Sequence, residues 1–129
     1  MYSEMVIEHF LRPRHVGTIQ NPDGYGEAGG GTRCPEDLAH VRIRVAGGRL
    51  VEVKHKTLGC PVAIAASSLT CEMALGRTLA EAREITAEMV IEGLRDMPEH
   101  KEDSVVAPAA LQRAIADYRQ REKTRERYA

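Results

Sequence analysis

Apolar and polar side chains alternate along residues 39–53. "AHVRIRV" puts Val41, Ile43 and Val45 on one side of an extended chain, and "RLVEV" puts Val51 and Val53 in phase, with Leu50 fitting only weakly. A period of two marks half-buried strands. Ala46-Gly47-Gly48-Arg49 between them has the composition of a tight hairpin connection. After Cys60 the pattern turns helical. Pro61 suits a first helical position, where no backbone N–H is needed, and Gly76 stops the helix. "TLAEA" opens another helix, with Thr78 and Glu81 spaced as a capping box. "TAEMVIEGL" is short and amphipathic, and a long final helix starts near Ala107 with Pro108 in its first turn. At the other end, Ser3 caps a first helix of about ten residues, whose narrow apolar side is Met5, Val6, His9 and Phe10 and which ends at or before Pro13.

The intervening "GTIQNPDGYGEAGGGTRCP" is rich in glycine and carries two prolines. That composition predicts a flexible loop over 19–33, with room for a short edge strand near Glu27 to Thr32. Strands followed by helices predict an α+β domain, a small antiparallel sheet with helices on one face. A chain of 129 residues fits one domain, 1–129, ending in a charged helical stretch, 119–129.

Composition adds three constraints. With one Phe, no Trp and four Tyr, the core must be aliphatic. A formal net charge of -1 supplies no global field toward nucleic acid or a membrane surface. The acidic, amphipathic N-terminus does not read as a signal peptide, so a cytoplasmic location is expected. The run "RQREKTRERY" holds five basic and two acidic residues and reads as a solvated helix face rather than a docking patch.

Three cysteines in such a chain do not make a disulfide framework. Cys34 closes the glycine-rich stretch and is followed by Pro35, Glu36 and Asp37. Cys60 stands at a helix start, where outward N–H groups favour a thiolate, with Lys54, His55 and Lys56 nearby in sequence; the competing reading is a buried turn residue. Cys71 lies on the same helical face as Cys60 but about 16 Å further along the axis, so it reads as core rather than as a second ligand. C-x-x-C, H-E-x-x-H, P-loop and dinucleotide patterns are absent, and "GYGEAGGG" is a weak phosphate signal. No nucleophile, base and orienting group form a legible set, so a turnover enzyme is not expected.

Three longer stretches carry more. "YSEMVIEHFLRPRHVG" (2–17), "KTLGCPVAIAASSLTCEMALGRTLAEA" (56–82) and "AIADYR" (114–119) occur in the order found in NifU/IscU-type iron–sulfur cluster scaffolds, and the chain resembles that family over about residues 2 to 119. The resemblance implies a three-stranded antiparallel sheet packed with helices. It implies assembly of a [2Fe–2S] cluster, or binding of iron or zinc, with sulfur from a cysteine desulfurase and delivery to recipient proteins. By position, the family's first two cysteines fall on Cys34 and Cys60, which would also be the sulfur acceptors. Its aspartate falls on Glu36 by strict spacing, or on Asp37 by residue type.

The third position departs from the family. Aligning on Ser104 and "AIADY" puts Glu102 where the family has histidine and Asp103 where it has its third cysteine. The implied ligand set is therefore Cys34, Cys60, Asp103 and Asp37 (or Glu36), with Glu102 a further candidate and His40, His55 and His100 in reserve. The family's chaperone-binding motif is not recognisable at "DMPEH" (96–100), which puts a dedicated chaperone in doubt. Two thiolates with two carboxylates mix soft and hard donors. That leaves three readings: a scaffold with a labile cluster, a zinc-bound sulfur acceptor, and a relative that only binds partners.

Overall fold

A computed structural model describes residues 2–31, 34–97 and 101–128. Strands β2 (Leu38–Ala46) and β3 (Arg49–Leu58) form the expected antiparallel hairpin. Its two connecting residues, Gly47 and Gly48, have φ of 60° and 74°, the left-handed pair that a two-residue hairpin turn needs. Val41 sits opposite His55, and Ile43 opposite Val53. The register then shifts: Arg44 pairs with Glu52 but Val45 with Leu50, so Val51 is an extra residue in β3. This bulge reverses the inward and outward sides. Leu50 is fully buried, whereas Val51 is 47% exposed, the opposite of what strict alternation predicts.

The glycine-rich stretch is not all loop. Gly24–Gly29 forms β1, which pairs antiparallel with β2 and gives the order β1-β2-β3. The reason for the glycines is packing rather than chain freedom. The last helix, α5 (Ala107–Tyr128), lies so close on β1 that a Cβ at Gly24 would strike the carbonyl oxygen of Ala114, and one at Gly26 the carbonyl of Ala110. The same helix satisfies the free edge of β1. Asp117 Oδ2 accepts from the Tyr25 N–H at 2.9 Å, and Arg113 donates to the Glu27 carbonyl at 2.6 Å. A covered edge of this kind cannot template pairing with another chain.

Helix α2 (Pro61–Ala74) covers the rest of the inner face, packing on β3. Against its outer side lie α1 (Glu4–Leu11) and α4 (Ala87–Leu94), while α3 (Leu79–Arg83) braces α5. The caps follow the sequence signals: Ser3 accepts from Val6 N–H, Thr78 and Glu81 form the capping box, and Thr86 caps α4. Ile43, Leu50, Val53, Val62, Val90, Leu94, Leu111 and Ile115 make an aliphatic core. No described helix is long and apolar enough to cross a membrane.

Residues 12–17 are tied down by a buried polar network. Ser68 Oγ lies 2.8 Å from His9 Nδ1 and accepts from the Arg14 N–H at 2.8 Å. His55 Nε2 pairs with the Arg14 carbonyl at 3.0 Å, and Val16 bridges to His55 along the edge of β3. His55 is 1% exposed, and this burial holds its pKa down at about 4, with the neighbouring His15 acting in the same direction. Burial, reinforced by the Arg14 guanidinium, also lowers that of His9.

A depressed histidine pKa means that the unfolded chain binds the proton first. The stabilisation is thus complete above about pH 6.5 and is lost as pH falls toward 4. Urea unfolding should show a loss on the order of 3 kcal/mol across that range, and His55→Gln should flatten the profile. Gly26→Ala should cost at least about 2 kcal/mol in the same assay, because α5 must be pushed off the sheet.

Candidate metal centre

At one end of the sheet, the turn entering β2 meets the turn leaving β3. Asp37 N–H donates to the Cys34 carbonyl at 3.1 Å, and Gly30 N–H to the Asp37 carbonyl at 2.8 Å, closing the run-in to β2 into a tight turn. Asp37 is 4% exposed, and its Oδ1 accepts from the backbone N–H of Cys60 at 3.2 Å. Gly59 makes this contact possible. Its φ is +138°, and any Cβ there would fall on the Asp37 carboxylate. Cys60 is the N-cap of α2, with Pro61 beginning the helix, so its thiol faces the positive end of the helix dipole.

The two thiols meet at one oxygen. Cys60 Sγ donates to Ser104 Oγ at 3.3 Å, and the Ser104 hydroxyl donates to Cys34 Sγ at 3.1 Å. The sulfurs can therefore be no farther apart than those two distances combined. Cys60 Sγ also lies 3.8 Å from Asp37 Oδ2. Cys34, Glu36, Asp37, Gly59, Cys60 and Lys101 line an open recess of about 370 Å³. The Lys101 cation on its rim offsets part of the negative charge that thiolates and carboxylates would gather there.

Of the residues expected at the site, Cys34, Cys60 and Asp37 come together, and Glu36 stands exposed on the rim. Asp103 stands beside the turn that carries Cys34, whose N–H bonds the Gly31 carbonyl at 3.0 Å. Asp103 is exposed, and its carboxylate lies against Gly31, whose Cβ position would be 2.9 Å from Oδ2. Glu102 is exposed as well. Among the described residues, no three His, Cys, Asp or Glu side chains are already gathered closely enough to enclose an ion. His55 belongs to the buried network, His40 bonds to the Tyr25 hydroxyl on the outer sheet face, and His100 lies outside the described residues. Cys71 is fully buried among aliphatic side chains, and burial pushes its thiol up to about 12, as befits a core residue. Residues 98–100 of the expected chaperone segment also lie outside the described residues.

Two members of the site escaped the reading of the sequence, Ser104 and Lys101. Ser104 served there only as an alignment anchor. Its fixed distance ahead of the "AIADY" helix was the signal that places it at this end of the fold.

This arrangement of a three-stranded sheet, an N-capping cysteine and a C-terminal helix defines a class. The NifU-like N terminal domain family matches residues 1–125, and the chain belongs to that family. Among named relatives, "Iron-sulfur cluster assembly scaffold protein IscU 1" of Archaeoglobus fulgidus is 44% identical over 119 residues, 92% of this chain and 76% of the relative. "Iron-sulfur cluster assembly scaffold protein IscU" of Escherichia coli is 36% identical over 126 residues, 96% and 98% of the two chains. The crystal structure of a putative iron–sulfur cluster assembly scaffold protein for the SUF system from Fervidobacterium islandicum has the same fold. Its TM-score is 0.72 at 20% identity, covering 88% of this chain and 96% of the other.

Burial separates the thiols experimentally. Cys60 is the half-buried one, Cys34 is 7% exposed and Cys71 fully buried. Iodoacetamide on the native chain, followed by peptide mass analysis, should modify Cys60 first and Cys71 only after denaturation.

Proposed function

We propose that this chain is an iron–sulfur cluster assembly scaffold, holding iron and sulfur at Cys34, Cys60 and Asp37 while a cluster is built and passed on. The observation that carries the reading is the convergence of two thiols, 26 positions apart in sequence, on one hydroxyl beside a buried carboxylate. Membership of the NifU-like family and the names of its relatives point the same way. Cluster and metal are cargo here, not a resident cofactor, and the protein acts as a carrier in the cytoplasm rather than as a turnover enzyme.

The donor set fits that cargo in chemical type. Thiolates suit iron–sulfur species and zinc, and a carboxylate completes either. Asp37 is the better acid than Glu36, because its oxygens already face the Cys60 sulfur and N–H. Asp103, against Gly31 in the turn that carries Cys34, and the exposed Glu102 are the further candidate acids.

Sulfur arrives by thiol exchange. A thiolate, most accessibly that of Cys60, attacks the outer sulfur of a persulfide carried by a cysteine desulfurase. A new S–S bond forms on Cys60 as the donor's S–S bond breaks, and the donor thiolate leaves with the electron pair. Recipient proteins then take the finished cluster. A site with only two thiolates holds such a cluster loosely, which favours release. The same deficit favours a second reading, in which zinc sits at the two thiols and the chain is a sulfur acceptor only.

Anaerobic reconstitution with iron, cysteine and a desulfurase separates the two. The scaffold reading expects a coloured species that Cys34→Ser and Cys60→Ser each abolish and Cys71→Ser retains. Stoichiometric zinc in the purified protein, with stimulated desulfurase turnover and no colour, would favour the second.

A further inference from the structure

We propose that the outer face of the sheet, where it meets the open end of β3, is a docking groove for an extended acidic segment of a partner protein. Val16, His40, Arg42, Lys56, Thr57 and Leu58 line this groove, which encloses about 460 Å³. Docking there does not require the metal-holding role, and its test uses no metal.

The first ground is charge. Cross-strand pairing sets Arg42 opposite Lys54 and His40 opposite Lys56, on the face turned away from the core. Like charges placed directly opposite each other cost stability. The nearby carboxylates are already engaged. Glu52 accepts from Arg44 at 3.2 Å, and Glu27 accepts from the Tyr25 hydroxyl at 2.7 Å and lies 3.5 Å from His40. Among the described residues, Arg42, Lys54 and Lys56 form no ion pair. Arg42 is instead held over the Tyr25 ring, 4.8 Å from its centroid. Folding gains nothing from gathering these cations, whereas an acidic partner does.

The second ground is shape. Residues 20 and 21 bond to Arg44 at the hairpin end of this face, so its open part lies at the opposite end. There Val16, 52% exposed, and Leu58, 66% exposed, flank the cations. Two large apolar side chains beside the cations fit a protein segment better than a phosphate backbone, which needs cations throughout.

The third ground is the strand edge. His55 N–H and carbonyl are bonded to His15 and Gly17 across the outer edge of β3, so Val41 and His55 form a non-hydrogen-bonded pair of the hairpin. Such pairs recur every second residue, so Ala39 and Thr57 form another, and the Thr57 N–H and carbonyl face the same edge. No described residue bonds them. At Gly17, with φ of 143°, the neighbouring segment leaves the edge before reaching Thr57. An extended segment would take up this pair, with alternate side chains beside Lys56 and Leu58, as in strand addition. Leu58 is followed by Gly59 and Cys60, so the groove leads to the thiols.

The probe is a short peptide of alternating glutamate and valine, blocked at both ends, titrated at low salt into the isotope-labelled full chain and followed by NMR. Amide shifts should concentrate on Val16, Lys56, Thr57 and Leu58, and exchange of the Thr57 amide should slow. A lysine–valine peptide should produce neither effect. Arg42→Glu combined with Lys56→Glu should weaken binding at least about tenfold, while Lys123→Glu, on the far end of α5, should leave it unchanged. The spectrum of the double variant away from the groove reports that it is folded. Equal shifts from the two peptides, shifts outside the groove, or an unchanged affinity in the folded double variant would overturn the proposal. So would tighter binding of a short single-stranded DNA in the same groove, or shifts that appear with chain concentration alone and assign the groove to a second copy.

Discussion

The backbone of α5 lies directly on β1, and that close approach sets the position of nearly everything else. It requires hydrogen in place of a side chain at Gly24 and Gly26, because Cβ atoms there would enter the helix backbone. It is held by Asp117 and Arg113, which bond to the outer edge of the strand. With the helix seated, its N-terminal run-in passes the buried Val106 and Val105 to Ser104 beside the thiols. The seat therefore joins two things that look unrelated in the chain, a glycine-rich strand and the composition of the site.

The site itself is a junction of three segments, none of which makes it alone. The turn before β2 brings Cys34 and Asp37, the end of β3 brings Gly59 and Cys60, and the 3₁₀ turn brings Ser104 with Lys101 on the rim. The contact that locks the first two is the Asp37 carboxylate on the Cys60 N–H, and it exists because Gly59 has no side chain. The open geometry suits a site whose contents must enter and leave. A closed set of four strong ligands would bind more tightly and release more slowly.

The N-terminal signature is also explained by packing. Ser3 caps α1 and bonds across to the Leu94 carbonyl, and His9 reaches Ser68 on α2. Through Arg14 the network continues to His55 at the edge of β3. Buried neutral histidines bind the N-terminal segment to the sheet, and this makes the fold sensitive to acid at a distance from the thiols.

The chain's periodicity, caps and turn glycines were sufficient to specify the hairpin, the order of the helices and the aliphatic core, since those depend on neighbours three or four residues apart. Cys71 as core was legible for the same reason, from helical spacing; the association of Cys34 with Cys60, which meet at the Ser104 hydroxyl, was suggested only by the family resemblance. Three matters were decided only by tertiary structure. The bulge at Val51 depends on the partner strand, so alternation alone misassigned Leu50. The strand at Gly24–Gly29 is seated by a helix more than 80 residues away, so composition alone read a loop with room for an edge strand only near Glu27 to Thr32. The place of the Ser104 hydroxyl between the Cys34 and Cys60 sulfurs depends on three segments far apart in the chain and on the burial of the residues after it. Alignment on one line of text cannot supply that meeting, because it records which residue follows which and not the direction in which each one points.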